Sequence, residues 1–197
     1  MNQSRLSAPG IAVTLLAVFS FMATSTPLSA VTKEQVEQQK ADIQKMANDT
    51  LERLYKTQPS AKKAVKKAAG YAVFSNFGMK ILFAGGGSGK GLAVNNKTGK
   101  RTFMKLIEVQ AGLGMGIKKF RLIWVFENQR DLDSFIKSGW EFGGQATAAA
   151  QASGEGGALA GAMSIKPGVW LYQLTDDGLA LELTAKGTKY YKDDNLK

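Results

Sequence analysis

The chain has 197 residues, 44% of them hydrophobic, and is strongly basic, with 26 Lys and Arg against 16 Asp and Glu and a formal net charge of +10. It contains no Cys and no His, which excludes disulfides, thiolate nucleophiles, Cys/His zinc sites and histidine-based catalytic triads. That length and apolar content suit one globular domain with a core of its own, and any enzyme built here would have to work with carboxylates, Lys, Tyr or Ser.

Residues 1–30 read as a secretory signal peptide. Arg5 supplies a positive start, residues 11–23 (IAVTLLAVFSFMA) form an apolar stretch of thirteen residues, and TSTPLSA ends in small residues suited to cleavage after Ala30. Thirteen apolar residues fall short of the about 17–25 that cross a bilayer; an uncleaved N-terminal anchor is the alternative. The expected location is the periplasm, soluble or held peripherally at a membrane. Cleavage would remove one basic residue and no acidic one, so the mature chain stays basic and suited to anionic phospholipid rather than nucleic acid.

Residues 31–58 are predicted to be an N-terminal helix. Thr32 and Gln35 have the spacing of a capping box, Val36, Ile43, Met46, Ala47, Thr50, Leu51 and Leu54 share one face, and Pro59 ends the pattern. Residues 59–197 then form the main domain. It opens with a short helix expected to run from Ser60 as N-cap to Gly70 as C-terminal stop. Lys62, Lys63, Lys66 and Lys67 lie on one side of it and Ala61, Val65, Ala68 and Ala69 on the other. Such a basic face suits an anionic membrane, and equally the ordinary solvated side of a surface helix.

From Tyr71 the period becomes that of strands. YAVFSNF is apolar on both faces, as in a buried strand. A second strand over 81–94 joins a third over 101–108 through the turn residues NNKTGK, and a fourth runs from Val109 into FRLIWVF at 120–126. Glycine recurs at every second residue at Gly85, Gly87, Gly89 and Gly91, and again at Gly112, Gly114 and Gly116. On a strand this spacing strips one face to bare backbone, which predicts close contact with another layer or with a ligand. A helix over 128–137 places Leu132, Phe135 and Ile136 inward and stops at Gly139. Residues 143–161 are rich in Ala and Gly and fit either close-packed strands or a mobile loop. Strands over 169–175 and 179–184 flank Asp176, Asp177 and Gly178, a hairpin signal, and TKYYK at 188–192 closes the sheet. The expected fold is α+β with mainly antiparallel β-sheets, as a sandwich or flattened barrel covered by the N-terminal and internal helices.

Several motifs fail on inspection. GGGSGKG lacks the first P-loop glycine, where Ala84 stands, and the Ser or Thr after Lys90, where Gly91 stands. Neither glycine run satisfies GxGxxG, because Lys90, Leu92 and Ile117 occupy the third glycine position. SxxK at 60–63 and KTG at 97–99 lack the SDN element of penicillin-binding enzymes. Asp176 with Asp177 and Asp193 with Asp194 do not have EF-hand spacing and read as a turn and a solvated tail.

The blocks AAGYAVFSNFG, AGGGSGKGLAV, AGLGMG, FRLIWVFEN, LDSFIKSGWEFGGQA and GVWLYQLTDDGLALELTAKGTKYYKDDNL, in that order, resemble the SYLF domain family in the form found in bacterial envelope proteins. The resemblance runs from about Ala68 to the C-terminus. It implies a lipid-binding module with membrane lipid as ligand; the phosphoinositide and actin partners of eukaryotic members do not carry over to an exported bacterial protein. The expectation is therefore a non-enzymatic protein, with no cofactor and no metal, that binds anionic phospholipid headgroups. Lys62, Lys63, Lys66 and Lys67 are the main candidate contacts, with Lys118, Lys119 and Arg121 as secondary ones. A soluble carrier or protein-interaction module with an apolar pocket is the alternative, and protein partners stay open.

Overall fold

A computed structural model describes residues 32–81, 84–111, 116–142, 159–180 and 187–197, with the side chains of 76–85, 109–118, 142 and 180 left aside. The expected signal peptide and residues 143–158 lie outside the described residues, as do Gly112 and Gly114.

Helix α1 spans Lys33–Thr57 and starts where the sequence places it: Thr32 Oγ1 accepts from the Gln35 amide at 3.2 Å and Gln35 Oε1 from the Thr32 amide at 2.9 Å. Ile43, Ala47, Thr50, Leu51 and Leu54 are its buried face, and the Thr50 hydroxyl is satisfied by the Met46 carbonyl at 2.7 Å. Helix α2 spans Pro59–Lys67. Here the boundaries differ from expectation. Gln58, not Ser60, is the N-cap residue, because Pro59 fits the first helical position and forces the residue before it out of helical geometry. Gly70 is not the helix stop either; Ala68 already has extended backbone, and Gly70 opens the first strand.

Strands β1 (Gly70–Ile81), β2 (Ala84–Asn95), β3 (Arg101–Ala111) and β4 (Gly116–Phe126) form a long antiparallel core. The expected break between Glu108 and Val109 does not exist, since β3 continues to Ala111 in register with Ala84. Helix α3 (Gln129–Ser138) is followed by β5 (Trp140–Phe142), β6 (Met163–Lys166), β7 (Val169–Thr175), β8 (Gly178–Ala180) and β9 (Thr188–Lys192). Among the described residues these nine strands make one sheet in the order β5-β9-β3-β2-β1-β4-β7-β6, with β8 also on β7. The α+β, mainly antiparallel architecture thus takes the form of a single curled sheet.

The curl follows from its side chains. Strands β4 and β9 are four inter-strand steps apart, which in a flat sheet is about 19 Å at about 4.8 Å per step. Yet the rings of Trp124 and Tyr190 lie 5.4 Å apart, and Trp124 reaches Trp140 of β5 at 6.1 Å. The sheet therefore wraps into a half-barrel. Its inner face holds Ala72, Phe74, Met104, Leu106, Leu122, Trp124 and Phe126, closed off by Leu132 and Phe135 of α3. The outer face carries Val73, Leu92, Ile123, Val125, Tyr172 and Leu174 beneath α1 and α2. At Ala72, Val73 and Phe74 both faces of β1 are covered, which is why YAVF shows no polar side.

Helix α3 is clipped to β6 by ionic contacts. Asn128 caps it, accepting from the Asp131 amide at 2.9 Å, and Lys166 Nζ donates to Asp131 Oδ1 at 2.6 Å while lying 4.5 Å over the Trp140 ring. The hydrogen bond from Lys166 holds the Asp131 carboxyl below its ordinary 3.8; burial opposes that, and the Asn128 side chain adds to it. A depressed folded-state pKa stabilises the fold above the ordinary value, and that contribution is lost as pH falls through the lower one. Asp131→Asn should therefore lower the melting temperature at pH 7, with the difference from the parent shrinking below pH 3.8. Equal differences at pH 7 and at pH 2–3 would contradict it.

The tail is solvated only in part. Asp193 is buried, receives Lys105 Nζ at 2.8 Å and caps a terminal 3-10 turn through the Asn195 amide, while Leu196 enters the core under α1. Of the acidic pair, Asp194 keeps the expected exposure, beside Lys197 at 2.9 Å.

Candidate functional site

Two basic surfaces emerge, and they are separate. The first is α2. Ala61, Ala64 and Val65 are buried, so helical spacing leaves Lys62, Lys63, Lys66 and Lys67 exposed together on the opposite side. The C-terminal carbonyls of α2 would be orphaned where the chain turns into β1. Asn96 of the β2–β3 turn satisfies them, its Nδ2 donating to Val65 O at 2.7 Å and Ala68 O at 2.9 Å. That bond docks the turn on the end of α2 and brings the exposed Lys97 beside the patch, whereas Lys100 lines a separate groove with Asp133 and Asp193. Among the described residues neither the four α2 lysines nor Lys97 is in an ion pair. In the sequence, NNKTGK reads only as a turn; the Asn that latches it to α2 is what makes Lys97 part of a surface.

The second surface lies on the outer sheet face beyond the cover of α1. Paired residues in adjacent strands point to the same side, so one rung of the sheet can be read straight across: Leu174, Arg121, Ser75, Lys90, Lys105 and Tyr191, on β7, β4, β1, β2, β3 and β9. The rung before it, with Ile123, Val73, Leu92 and Phe103, is apolar and lies in the core under the helices. The basic rung floors a groove of about 700 Å³ walled by α1. Arg53 of α1 binds the carbonyl oxygens of Thr175 and Asp176 there.

Of the secondary candidates, Arg121 and Lys119 both line this groove, while the Lys118 side chain lies outside the described residues. They do not join the α2 lysines. The rung at Gly70 and Asn95, where α2 ends, is five residues along β1 from the rung at Ser75, about 17 Å at about 3.3 Å per residue. Gly89 and Gly91 face the other way: a Cβ at Gly89 would meet the Leu106 side chain at 2.9 Å and one at Gly91 would run into the Phe74 ring, with Cε1 at 2.6 Å, so these two glycines make room for inner-core side chains. Gly85, Gly87 and Gly116 lie in β2 and β4.

The family model described as Ysc84, Las17-binding protein actin regulator, matches residues 107–197. Beta cell expansion factor A of Aeromonas veronii is 36% identical over 160 residues, which cover 78% of this chain and 57% of that protein. The chain belongs to the SYLF (Ysc84) family. This SYLF chain thus spans little more than half the length of that relative. The match to the family model holds β4 to β9, and with them Lys119, Arg121 and Tyr191 of the groove; α1 and α2 precede it. Membership is consistent with a lipid-binding or actin-regulating module, and SYLF proteins are not known as enzymes. Among the described residues no helix is long and apolar enough to cross a membrane, and no cluster of carboxylates is arranged to hold a metal ion.

Proposed function

We propose that this SYLF protein is a non-enzymatic, exported, peripheral membrane protein that binds anionic phospholipid headgroups through α2. The observation that carries this reading is the set of four exposed lysines on one face of α2, extended by Lys97. Each basic residue near an anionic surface contributes about 1 kcal/mol, so four would give about millimolar affinity and five about a few tenths of a millimolar. Latching the β2–β3 turn to α2 thus strengthens the patch about fivefold. With an apolar side of three alanine and valine positions turned into the core, α2 has nothing to insert into a bilayer, and the attraction is electrostatic. The net charge of +10 favours the same partner, and the apolar stretch at 11–23 supports export to the periplasm with cleavage after Ala30.

Co-sedimentation with phosphatidylglycerol-containing and pure phosphatidylcholine vesicles tests it. Binding should be confined to the anionic vesicles, fall away by about 0.5 M salt, where the Debye length is about 4 Å, and drop about tenfold or more when Lys62, Lys63, Lys66 and Lys67 are all changed to Gln. Undiminished binding by that variant, or equal binding to neutral vesicles, would sink the proposal. The N-terminus of the periplasmic protein should be Val31, read by mass spectrometry.

A further inference from the structure

We propose that the groove between α1 and the outer sheet face binds one anionic amphiphile, its phosphate or carboxylate head between Lys90 and Arg121 and its apolar body along Met46 and Ile107. The site is separate from the α2 patch and does not depend on membrane binding there.

The head position follows from the register. Lys90 stands directly opposite Lys105, and Arg121 is one strand further across Ser75. Like charges facing each other on neighbouring strands are unfavourable and sheets ordinarily pair opposite ones. Lys105 has its counter-charge in the buried Asp193 at 2.8 Å. Lys90 and Arg121 have no carboxylate partner among the described residues. Their Cα atoms are two strand steps apart, about 10 Å, and side chains of that length can lean in to share one oxyanion above the Ser75 hydroxyl. Two carboxylates also line the groove: Asp42, which accepts from Gln38 at 2.9 Å, and the exposed Asp176, 4.0 Å from Arg53.

The apolar body follows from Ile107. At 45% exposure it is the large hydrophobic residue that stands out in water among the described residues, and it lines this same groove one rung beyond the basic one. The α1 wall of the groove contributes the half-buried Met46, while Ile43 beside it belongs to the core. Unneutralised basic side chains beside an exposed isoleucine match a ligand that carries both characters. The volume of about 700 Å³ falls within the about 300–1,000 Å³ usual for small-molecule sites.

Titration calorimetry of the protein with monomeric dihexanoyl phosphatidic acid, beside inorganic phosphate, tests the site. One equivalent of the lipid should bind, more tightly than phosphate. Lys90→Gln and Arg121→Gln should each weaken it about tenfold or more, the size of a lost charge-assisted hydrogen bond. Ile107→Gln should weaken the lipid but leave phosphate unchanged. Lys90 and Ile107 are exposed, so these two variants keep the fold even if Arg121→Gln does not. The variant of the four α2 lysines should still bind the monomer, so loss of vesicle binding in that variant and loss of monomer binding in the groove variants report on different surfaces. Absence of lipid binding, indifference to Lys90→Gln, or phosphate bound as tightly as the lipid would overturn the proposal.

Discussion

Gly91→Val should lower the stability of the protein by about 3 kcal/mol or more, the upper range of overpacking costs. Position 91 sits in β2 directly opposite Phe74 in β1, and a Cβ there would come within 2.6 Å of Phe74 Cε1 and 2.5 Å of the Val73 carbonyl oxygen. The ring cannot step aside: Phe74 is fully buried, with Tyr190 at 5.0 Å and Phe135 at 6.1 Å, both edge-on. Nor can the carbonyl, which belongs to the β1 backbone. Something must therefore break in the inner core. In a domain of this size the loss corresponds to about 6 °C or more in melting temperature. Gly86→Ala is the matched control, since its Cβ would find only the Glu108 carbonyl oxygen at an ordinary 3.6 Å. A β2 in which both substitutions are equally harmless would not have Gly91 beneath Phe74.

The contrast between those two glycines also marks how far the sequence is legible. Alternate glycines announce a bare strand face, but only the register says that Phe74 and Leu106 fill it at Gly91 and Gly89. Features decided within a few residues can be read directly: the Thr32–Gln35 capping box, the Asn128 cap, and the two-residue turn at Asp176 and Asp177 that sets Thr175 against Gly178. Strand β6 was within reach, because Met163 to Lys166 precedes Pro167 and Gly168, and Gly168 takes the positive φ of 79° that such a turn requires. Strand β5, three residues long, carries too short a pattern to be seen. The basic rung is an intermediate case. Counting outward from the NNKTGK turn already sets Lys90 against Lys105, whereas placing Arg121 two strands away needs the pairing of β4 with β1, which no local signal supplies. Asp193 is misread for the same reason: its partner Lys105 lies on a distant strand, and in sequence an Asp-Asp pair near a basic tail looks solvated.

Trp124→Ala should cost about 3–5 kcal/mol, the range for removing a large buried aromatic, and should cost it through the curl of the sheet rather than through β4 alone. The Trp124 side chain is 1% exposed. Around it stand Phe126 at 6.4 Å and Phe135 at 5.7 Å, and also Tyr190 at 5.4 Å and Trp140 at 6.1 Å from the far edge of the sheet. Truncation opens a cavity between β4 and the β5–β9 edge, which no backbone pairing joins among the described residues. Trp124→Phe keeps an aromatic contact and should retain most of the stability, with the near-ultraviolet circular dichroism of the ring cluster reduced but present. Trp124→Ala should lose that signal and unfold at distinctly lower urea, while far-ultraviolet ellipticity in water persists. A loss below about 1 kcal/mol would mean that the edges are held by something other than the aromatic cluster. The groove supplies a second readout: Arg121 and Lys119 ride on β4, the same strand as Trp124, with the alternate residues facing opposite sides. If the inner cluster fixes where β4 lies relative to β2, Trp124→Ala should weaken the binding that depends on Lys90 and Arg121 together even under conditions where the protein remains folded.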